Sequence, residues 1–293
     1  MMGVLDRKVA VITGSSRGLG LAMARAYVRE GAAVMLSSRS QADIDRVVAE
    51  LRGLGAQAAG MVCDVADLHQ VRALADAAEE AFGSLDIWVN NAGMAGPYGP
   101  TASVPVDRFE KVLNTNIFGA YHGSIVAIQH FAPRRTGKLI NILGRGDDQP
   151  VPFQNAYAST KTWIRAFTVA MAREYRDTGI EIYAFNPGLM TTEFMSRVEA
   201  VQGYAGRMKP LEMVMRLWSN PPETPAEKAV WLASASTDGK TGLVVRVITP
   251  AFMLGGILRE GMRRLTRRPG PDYHLEVAEI PPAIPFPLAR EKE

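Results

Sequence analysis

The chain predicts an α/β fold built on a doubly wound parallel sheet, and three observations point there. Short apolar runs alternate with longer amphipathic stretches, the rhythm of βαβ units. The first run, Val9-Ala10-Val11-Ile12-Thr13, passes straight into a glycine turn that opens a helix. A length of 293 residues, 47% hydrophobic and 22% charged, gives a full core for one large domain or two small ones. It also excludes disordered and collagen-like classes.

Each element follows in order. The opening run is a buried strand, with a helix expected over 18–30. A second strand is expected over 33–37, and 44–54 carries a helical period. Strands are expected over 58–63, 87–90, 138–143 and 180–185, with helices between them. A last strand over 243–248 follows a helix expected to begin at Thr224-Pro225-Ala226-Glu227. Threonine as N-cap, proline at the first position and glutamate at the third are good starting signals. Seven strands in this rhythm make a three-layer α/β/α sheet of Rossmann type, occupying residues 1–250 as one domain. Two stretches break the rhythm. Residues 193–223 form one long connection holding Met195, Met208, Met213, Met215, Leu217 and Trp218, and residues 251–293 extend beyond the last strand. No internal repeat is visible.

The bulk numbers exclude several partners. A net charge of +3 is too small to argue for nucleic acid. One cysteine, Cys63, cannot close an internal disulfide and fits a reducing compartment. The histidines at 69, 122, 130 and 274 show no metal-ligand spacing, so no metal is expected. The start has no secretory apolar region, and no run of about eighteen apolar residues exists to span a membrane. The expected location is the cytoplasm.

Gly14, Gly18 and Gly20 let the backbone turn tightly and approach a pyrophosphate at a helix N-terminus. A glycine turn is weak evidence alone; following a strand and opening a helix gives it context. The end of the second strand reads the cofactor's ribose. An acid there would bond both hydroxyls, whereas arginine attracts a 2′-phosphate. The chain has Ser37-Ser38-Arg39, and Arg17 lies inside the turn. Two guanidinium groups suit bidentate phosphate binding, so NADP(H) is expected over NAD(H). Asp64, after the third strand, is placed either to accept from an adenine amino group or as a helix N-terminal acid.

With Asn90-Asn91-Ala92-Gly93, Asn116, the Tyr157-x-x-x-Lys161 pair and Asn186-Pro187-Gly188 added, residues 6–250 resemble the short-chain dehydrogenase/reductases of the classical type. Five motifs in order are specific where any one is not. The resemblance implies hydride transfer between a nicotinamide and a carbonyl or alcohol. Free tyrosine has a pKa near 10, and a lysine on the same helix face favours the phenolate. Tyr157 is thus the implied acid/base and Lys161 the group that lowers its pKa. Asn116 resembles the asparagine that holds a relay water, and Thr192 the threonine that bonds the nicotinamide carboxamide. Ser16, Leu19, Ser38, Val65, Asn91, Ala92, Gly93, Pro187 and Gly188 complete the implied cofactor wall. A homodimer or homotetramer is implied by the same likeness.

One position departs. The family's serine lies thirteen residues before the tyrosine, where this chain has Gly144 in Asn141-Ile142-Leu143-Gly144-Arg145-Gly146-Asp147-Asp148. Losing one such donor costs on the order of 3–4 kcal/mol, or a hundred- to thousandfold in rate. A water, a substrate hydroxyl, Arg145, or a neutral Asp147 or Asp148 are the candidate replacements, and a widened pocket is the other reading. If the site is merely weakened, Gly144→Ser is expected to raise turnover.

The methionines and Trp218 of 193–223 suit either an apolar lid over a hydrophobic small-molecule substrate or packing of a lid helix on the core. A helix is expected over 253–268, with Leu254, Ile257, Leu258, Met262 and Leu265 on one side and Arg259, Arg263, Arg264, Arg267 and Arg268 around the rest. Packing on the body or a partner subunit is the preferred reading, and contact with an anionic membrane surface the alternative. Pro281, Pro282, Pro285 and Pro287 suggest an extended arm. The function expected is an NADP(H)-dependent carbonyl or alcohol oxidoreductase. Its alternatives are an NADP(H)-binding protein with weak or lost catalysis, and a membrane-surface protein.

Overall fold

A computed structural model describes residues 3–266 and 275–284. Seven strands form one parallel sheet: β1 (Val9–Ile12), β2 (Ala33–Ser38), β3 (Ala58–Val62), β4 (Ile87–Asn90), β5 (Gly137–Ile142), β6 (Ile180–Asn186) and β7 (Val244–Arg246). Their order is β7-β6-β5-β4-β1-β2-β3. β1 pairs with both β2 and β4, so the winding reverses at its carboxyl end, where open α/β sheets place their ligands. β1, β4 and β5 are buried along their whole length, because helices cover both faces. One layer of core joins Met23, Tyr27, Val34, Leu36 and Phe185 with Ala226 and Ala229. The other joins Val11, Trp88, Val126, Phe131, Leu139 and Ile182.

The helices are α1 (Gly18–Arg29), α2 (Gln41–Gly53), α3 (Leu68–Phe82), α4 (Val106–Leu113), α5 (Gly119–Phe131), α6 (Asn155–Glu174), α7 (Lys209–Trp218), α8 (Glu223–Ala233) and α9 (Pro250–Leu265). A π-helical turn, Asn114–Phe118, joins α4 to α5. Short 3-10 turns and a single helical turn at Glu193–Ser196 complete the helical segments. Among the described residues no helix is long and apolar enough to cross a membrane.

Three expectations change. The helix before β7 begins at Glu223, with Pro222 as N-cap and no side-chain cap; Thr224 lies inside it, its N–H bonded to the Pro221 carbonyl. Proline turns therefore set this start instead of a threonine hydroxyl. Second, α9 does not lay its apolar side on the body: Leu254, Ile257, Leu258, Met262 and Leu265 are exposed. Its contact edge is Gly256, whose missing Cβ lets the backbone approach Trp218, while Trp218 Nε1 donates to the Met253 carbonyl at 3.1 Å and Arg259 to that of Leu217. Third, the described arm folds back on its own chain. Glu276–Ile280 pairs in parallel with Arg197–Val201, and Ala283 N–H bonds the Ser103 carbonyl. Met208 and Met215 pack in a small lid core that includes Leu275 and Val277 from this arm. Arg267, Arg268, Pro285 and Pro287 lie outside the described residues.

Candidate active site

The glycine turn is forced by crowding. Gly14 has φ +62, and a Cβ there would come 2.9 Å from Ala92 Cα. A Cβ on Gly20 would strike the Gly14 carbonyl and lie 2.6 Å from Asn91 Nδ2. Asn91 Nδ2 donates to the carbonyls of Thr13 (2.9 Å) and Gly14 (3.0 Å), while Thr13 Oγ1 accepts from the N–H groups of Asn91 and Ala92. The Asn-Asn-Ala-Gly segment is thereby locked to the turn. The N-cap of α1, Arg17, makes no side-chain cap, so the first-turn N–H groups face outward as an anion cradle. Leu19 is buried in the core and Ser16 is nearly so.

The surrounding polar groups have distinct partners. Arg17 pairs with Glu193 at 3.0 Å, and Thr192 Cγ2 lies 3.7 Å from where a Gly18 Cβ would stand. The start of the lid is thus seated on the turn. Arg39 instead lines a cavity of about 250 Å³ with Asp64, Lys111 and Thr115. Arg46 from α2 donates to the Ser16 carbonyl at 3.2 Å. Ser38 Oγ is bonded to Ser40, and Asp64 Oδ1 accepts from Ala66 N–H while Asp67 caps α3. Val65 packs on Gly119, and its carbonyl meets His122 Nδ1 at 3.1 Å. Gly188 has φ +77, follows Pro187, and donates its N–H to Asn186 Oδ1.

Tyr157 and Lys161 occupy successive turns of α6. Lys161 Nζ lies 5.5 Å from the Tyr157 ring centroid and donates to the Ile142 carbonyl at 2.9 Å. A Cβ on Gly93 would stand 3.4 Å from Asn116 Oδ1 and 3.9 Å from Lys161 Nζ, so the cofactor segment and these two residues meet at one point. Asn116 is buried in the π-helical turn. Its amide accepts from Met94 N–H (2.8 Å) and donates to the Met94 carbonyl and Thr160 Oγ1, both at 3.0 Å.

Burial dominates the electrostatics of the pair. Desolvation pushes the Tyr157 pKa well above the usual tyrosine value, and the charge of Asp147 pushes it further. Burial acts on Lys161 too: its own pKa falls to about 8, although the charge of Asp147 raises it. Tyr157 is a neutral phenol, the form that donates a proton.

Gly144 is buried directly against the phenol. A Cβ on it would overlap the Tyr157 hydroxyl, lie 3.1 Å from Cζ and reach 3.5 Å from Lys161 Cε. A serine there adds its donor only if the Tyr157 side chain shifts, so the gain expected from Gly144→Ser depends on that movement. Asp147 is not free to replace the serine. Its carboxylate accepts from Arg246 Nη1 (3.1 Å) and Nη2 (2.6 Å) and from Asn186 Nδ2 (3.0 Å). Asp148 also pairs with Arg246, at 3.0 Å. Burial raises the Asp147 pKa while Arg246 pulls it down. No local pattern marks Arg246, since this pairing joins residues on β7 and on the loop after β5; Thr13 and Asn186 already stand in the motifs at the ends of buried strands.

A second cavity, of about 290 Å³, opens beside this site between the 151–154 loop, Arg145, Tyr98 and the lid at 207–214. Phe194, in the short lid helix, lies 6.0 Å from Tyr157 between ring centroids.

Comparison with known proteins agrees with this arrangement. The family model for short chain dehydrogenases matches residues 8–203. A 3beta-hydroxysteroid dehydrogenase 1 of Eggerthella lenta is 34% identical over 258 residues, covering 86% of this chain and 98% of that protein. A variant of the actinorhodin polyketide ketoreductase, solved with NADPH, superposes with a TM-score of 0.75 at 26% identity, covering 84% of this chain and 97% of that one. A 3-ketoacyl-(acyl-carrier-protein) reductase from Brucella melitensis, solved with NADH, gives 0.75 at 29% identity, over 83% and 97% of the two chains. With the family model matching two thirds of the chain and a relative 34% identical over nearly its whole length, the chain belongs to the short chain dehydrogenases, a family of oxidoreductases.

Proposed function

We propose that the chain is an NADP(H)-dependent oxidoreductase interconverting a carbonyl and an alcohol on a fairly apolar small molecule, with Tyr157 as acid/base. The observation carrying this reading is the meeting of Tyr157, Lys161, Asn116 and Gly93 at the mouth of the glycine cradle. The residues fit a dinucleotide: the cradle has no room for side chains at 14 and 20, and the α1 N-terminus is open to an anion. The bound nicotinamide supplies or accepts the hydride. The chain's own part is the proton, held on a desolvated phenol and given to the carbonyl oxygen as charge develops there. The Lys161 ammonium, anchored on the Ile142 carbonyl, then stabilises the phenolate left behind. Asn116 fixes the Met94 backbone beside the cofactor segment.

The preference for NADP(H) rests on Ser37-Ser38-Arg39, which lacks an acid, with Arg39 open at the end of β2 and Arg46 anchored on the turn. Arg17, paired with Glu193, is the weaker contributor. Gly144 stands where the family's serine is expected, so turnover is attenuated and the substrate oxygen relies on Tyr157 and a water. Exposed Phe118 and Tyr121, beside the start of α5, favour a homodimer or homotetramer.

Titration with NADPH and NADH, followed by reduced-nicotinamide absorbance against apolar ketones with Tyr157→Phe as control, tests the reading. Tight NADPH binding with Tyr157-dependent oxidation is expected; binding of neither nucleotide would overturn it. The exposed apolar side of α9 favours a second, additional reading as a membrane-surface contact. Equal co-sedimentation with anionic liposomes of the full chain and one ending at residue 250 removes that reading.

A further inference from the structure

The cavity beside Tyr157 differs in character from the one around Arg39. Asp64, Asp107 and Glu110 line the latter, whereas the former has no acidic lining residue. It has two guanidinium groups instead, Arg145 and Arg207, and neither has a carboxylate within ion-pair distance among the described residues. Arg207 is held by aromatic faces, its Cζ 5.3 Å from the Phe153 centroid and 5.7 Å from that of Tyr204. Stacking uses the face of the guanidinium and leaves its N–H edges unspent. Phe153 adopts φ +65, a region bulky side chains rarely enter, so the platform under Arg207 is held against its own backbone preference.

Two more groups belong to the same wall. The charges of Arg145 and Arg207 both act on the Tyr98 hydroxyl, which places them around one end of the cavity. Gln154 Oε1 is buried without a hydrogen-bond partner, a state that buried side-chain oxygens seldom keep unless a ligand or water completes them. The remaining walls, Val151, Pro152, Met208, Leu211 and Val214 among them, are apolar.

Two of the cavity's lining residues are neighbours of the Tyr157 site along the chain. Arg145 follows Gly144, which lies against the Tyr157 hydroxyl, and the Gln154 carbonyl accepts the Tyr157 N–H at 3.1 Å. These two links through the backbone tie the cavity walls at Arg145 and Gln154 to the residues around the Tyr157 hydroxyl.

Resting on the oxidoreductase reading, we propose that the substrate is a carbonyl compound with an apolar body and an anionic group, a carboxylate or another oxyanion, seated between Arg145 and Arg207. An anion is what two guanidinium groups lining one cavity, with no carboxylate in ion-pair distance among the described residues, recognise, and the apolar walls take the rest. Specificity then comes from the lid, because Arg207 belongs to it while Arg145 belongs to the loop after β5; the anion bridges the two.

The test is calorimetric titration of the NADP(H)-saturated full chain with terephthalaldehydic acid and with its methyl ester, which differ only in the anion. The acid is expected to bind at least tenfold more tightly than the ester, and that ratio is expected to fall toward unity in Arg145→Gln and in Arg207→Gln. Raising salt is expected to weaken the acid alone. Matching aldehydes bearing sulfonate and phosphate in place of carboxylate rank the oxyanions. Equal affinity for acid and ester, binding of neither, or a preference that survives both substitutions would overturn the proposal. Because the readout is binding, an acid preference without any turnover would leave the anion site standing and count against the oxidoreductase reading alone.

Discussion

Adding a side chain at residue 144 separates two effects that act in opposite directions. The Cβ would overlap the Tyr157 hydroxyl and stand 3.1 Å from Cζ. Restoring ordinary contact distances requires the phenol to retreat by about 1 Å or more. A misplacement of about 1 Å at a reacting group costs about a hundredfold in rate. A serine hydroxyl offers one donor worth on the order of 3–4 kcal/mol, but only if Tyr157 stays in reach of the same oxygen. The overlap takes that condition away, so the steric effect wins. Gly144→Ala is expected to lower kcat for carbonyl reduction about a hundredfold, and Gly144→Ser to remain below the parent chain while the ratio of Ser to Ala isolates the hydroxyl. Overpacking is also expected to cost about 1–3 kcal/mol of stability, a drop of several degrees in Tm. The assay is initial-rate NADPH oxidation, with NADPH affinity measured alongside to show that the cradle is intact. A Gly144→Ser chain that equals or exceeds the parent rate would refute the reasoning.

Four further outcomes follow from the same geometry. Lys161, with its pKa lowered to about 8 from 10.5, is charged below that value; reduction is therefore expected to decline as pH rises through about 8, and the decline to disappear with Lys161→Met in whatever rate remains. Between about 8 and 10.5 the unfolded chain binds the Lys161 proton more than the folded one, so this residue's contribution to stability rises with pH there, readable in denaturant midpoints. Asp147→Asn removes a charge that raises the pKa of both Tyr157 and Lys161, so the alkaline decline is expected to move to lower pH, with a stability loss of about 3 kcal/mol from the broken pair with Arg246. Gly20→Ala places a methyl against the Gly14 carbonyl and Asn91, and is expected to weaken NADPH binding at least tenfold in a fluorescence titration; unchanged affinity would remove the cradle argument.

The sheet was readable because each of its strands is a local pattern: an apolar run such as Val9–Ile12 or Ile87–Asn90 bounded by turn residues. Strand ends shifted by a residue or two where pairing, not composition, decides them, as at Val244–Arg246, where only three residues find partners on β6. The glycine cradle and the Tyr157–Lys161 pair were legible for the same reason, being short spacings along one element. What was not legible joins distant segments. The Asp147–Arg246 pair, the seating of Glu193 on Arg17 and the overlap of residue 144 with the Tyr157 hydroxyl all depend on how β5, β7 and the lid meet. The weight of burial is of the same kind: spacing places Lys161 near Tyr157, but only packing reveals how strongly desolvation acts on both.

The parallel pairing of Glu276–Ile280 with Arg197–Val201, and the bond from Ala283 to Ser103, tie the last described strand to the connection over the active site. During synthesis the sheet can assemble as soon as β7 leaves the ribosome, yet the covering connection is still without its outer strand. Residues 276–283 are the ones that fasten it. A chain shortened before residue 276 therefore keeps the glycine turn and the seven-stranded sheet but leaves Arg197–Val201 without its parallel partner.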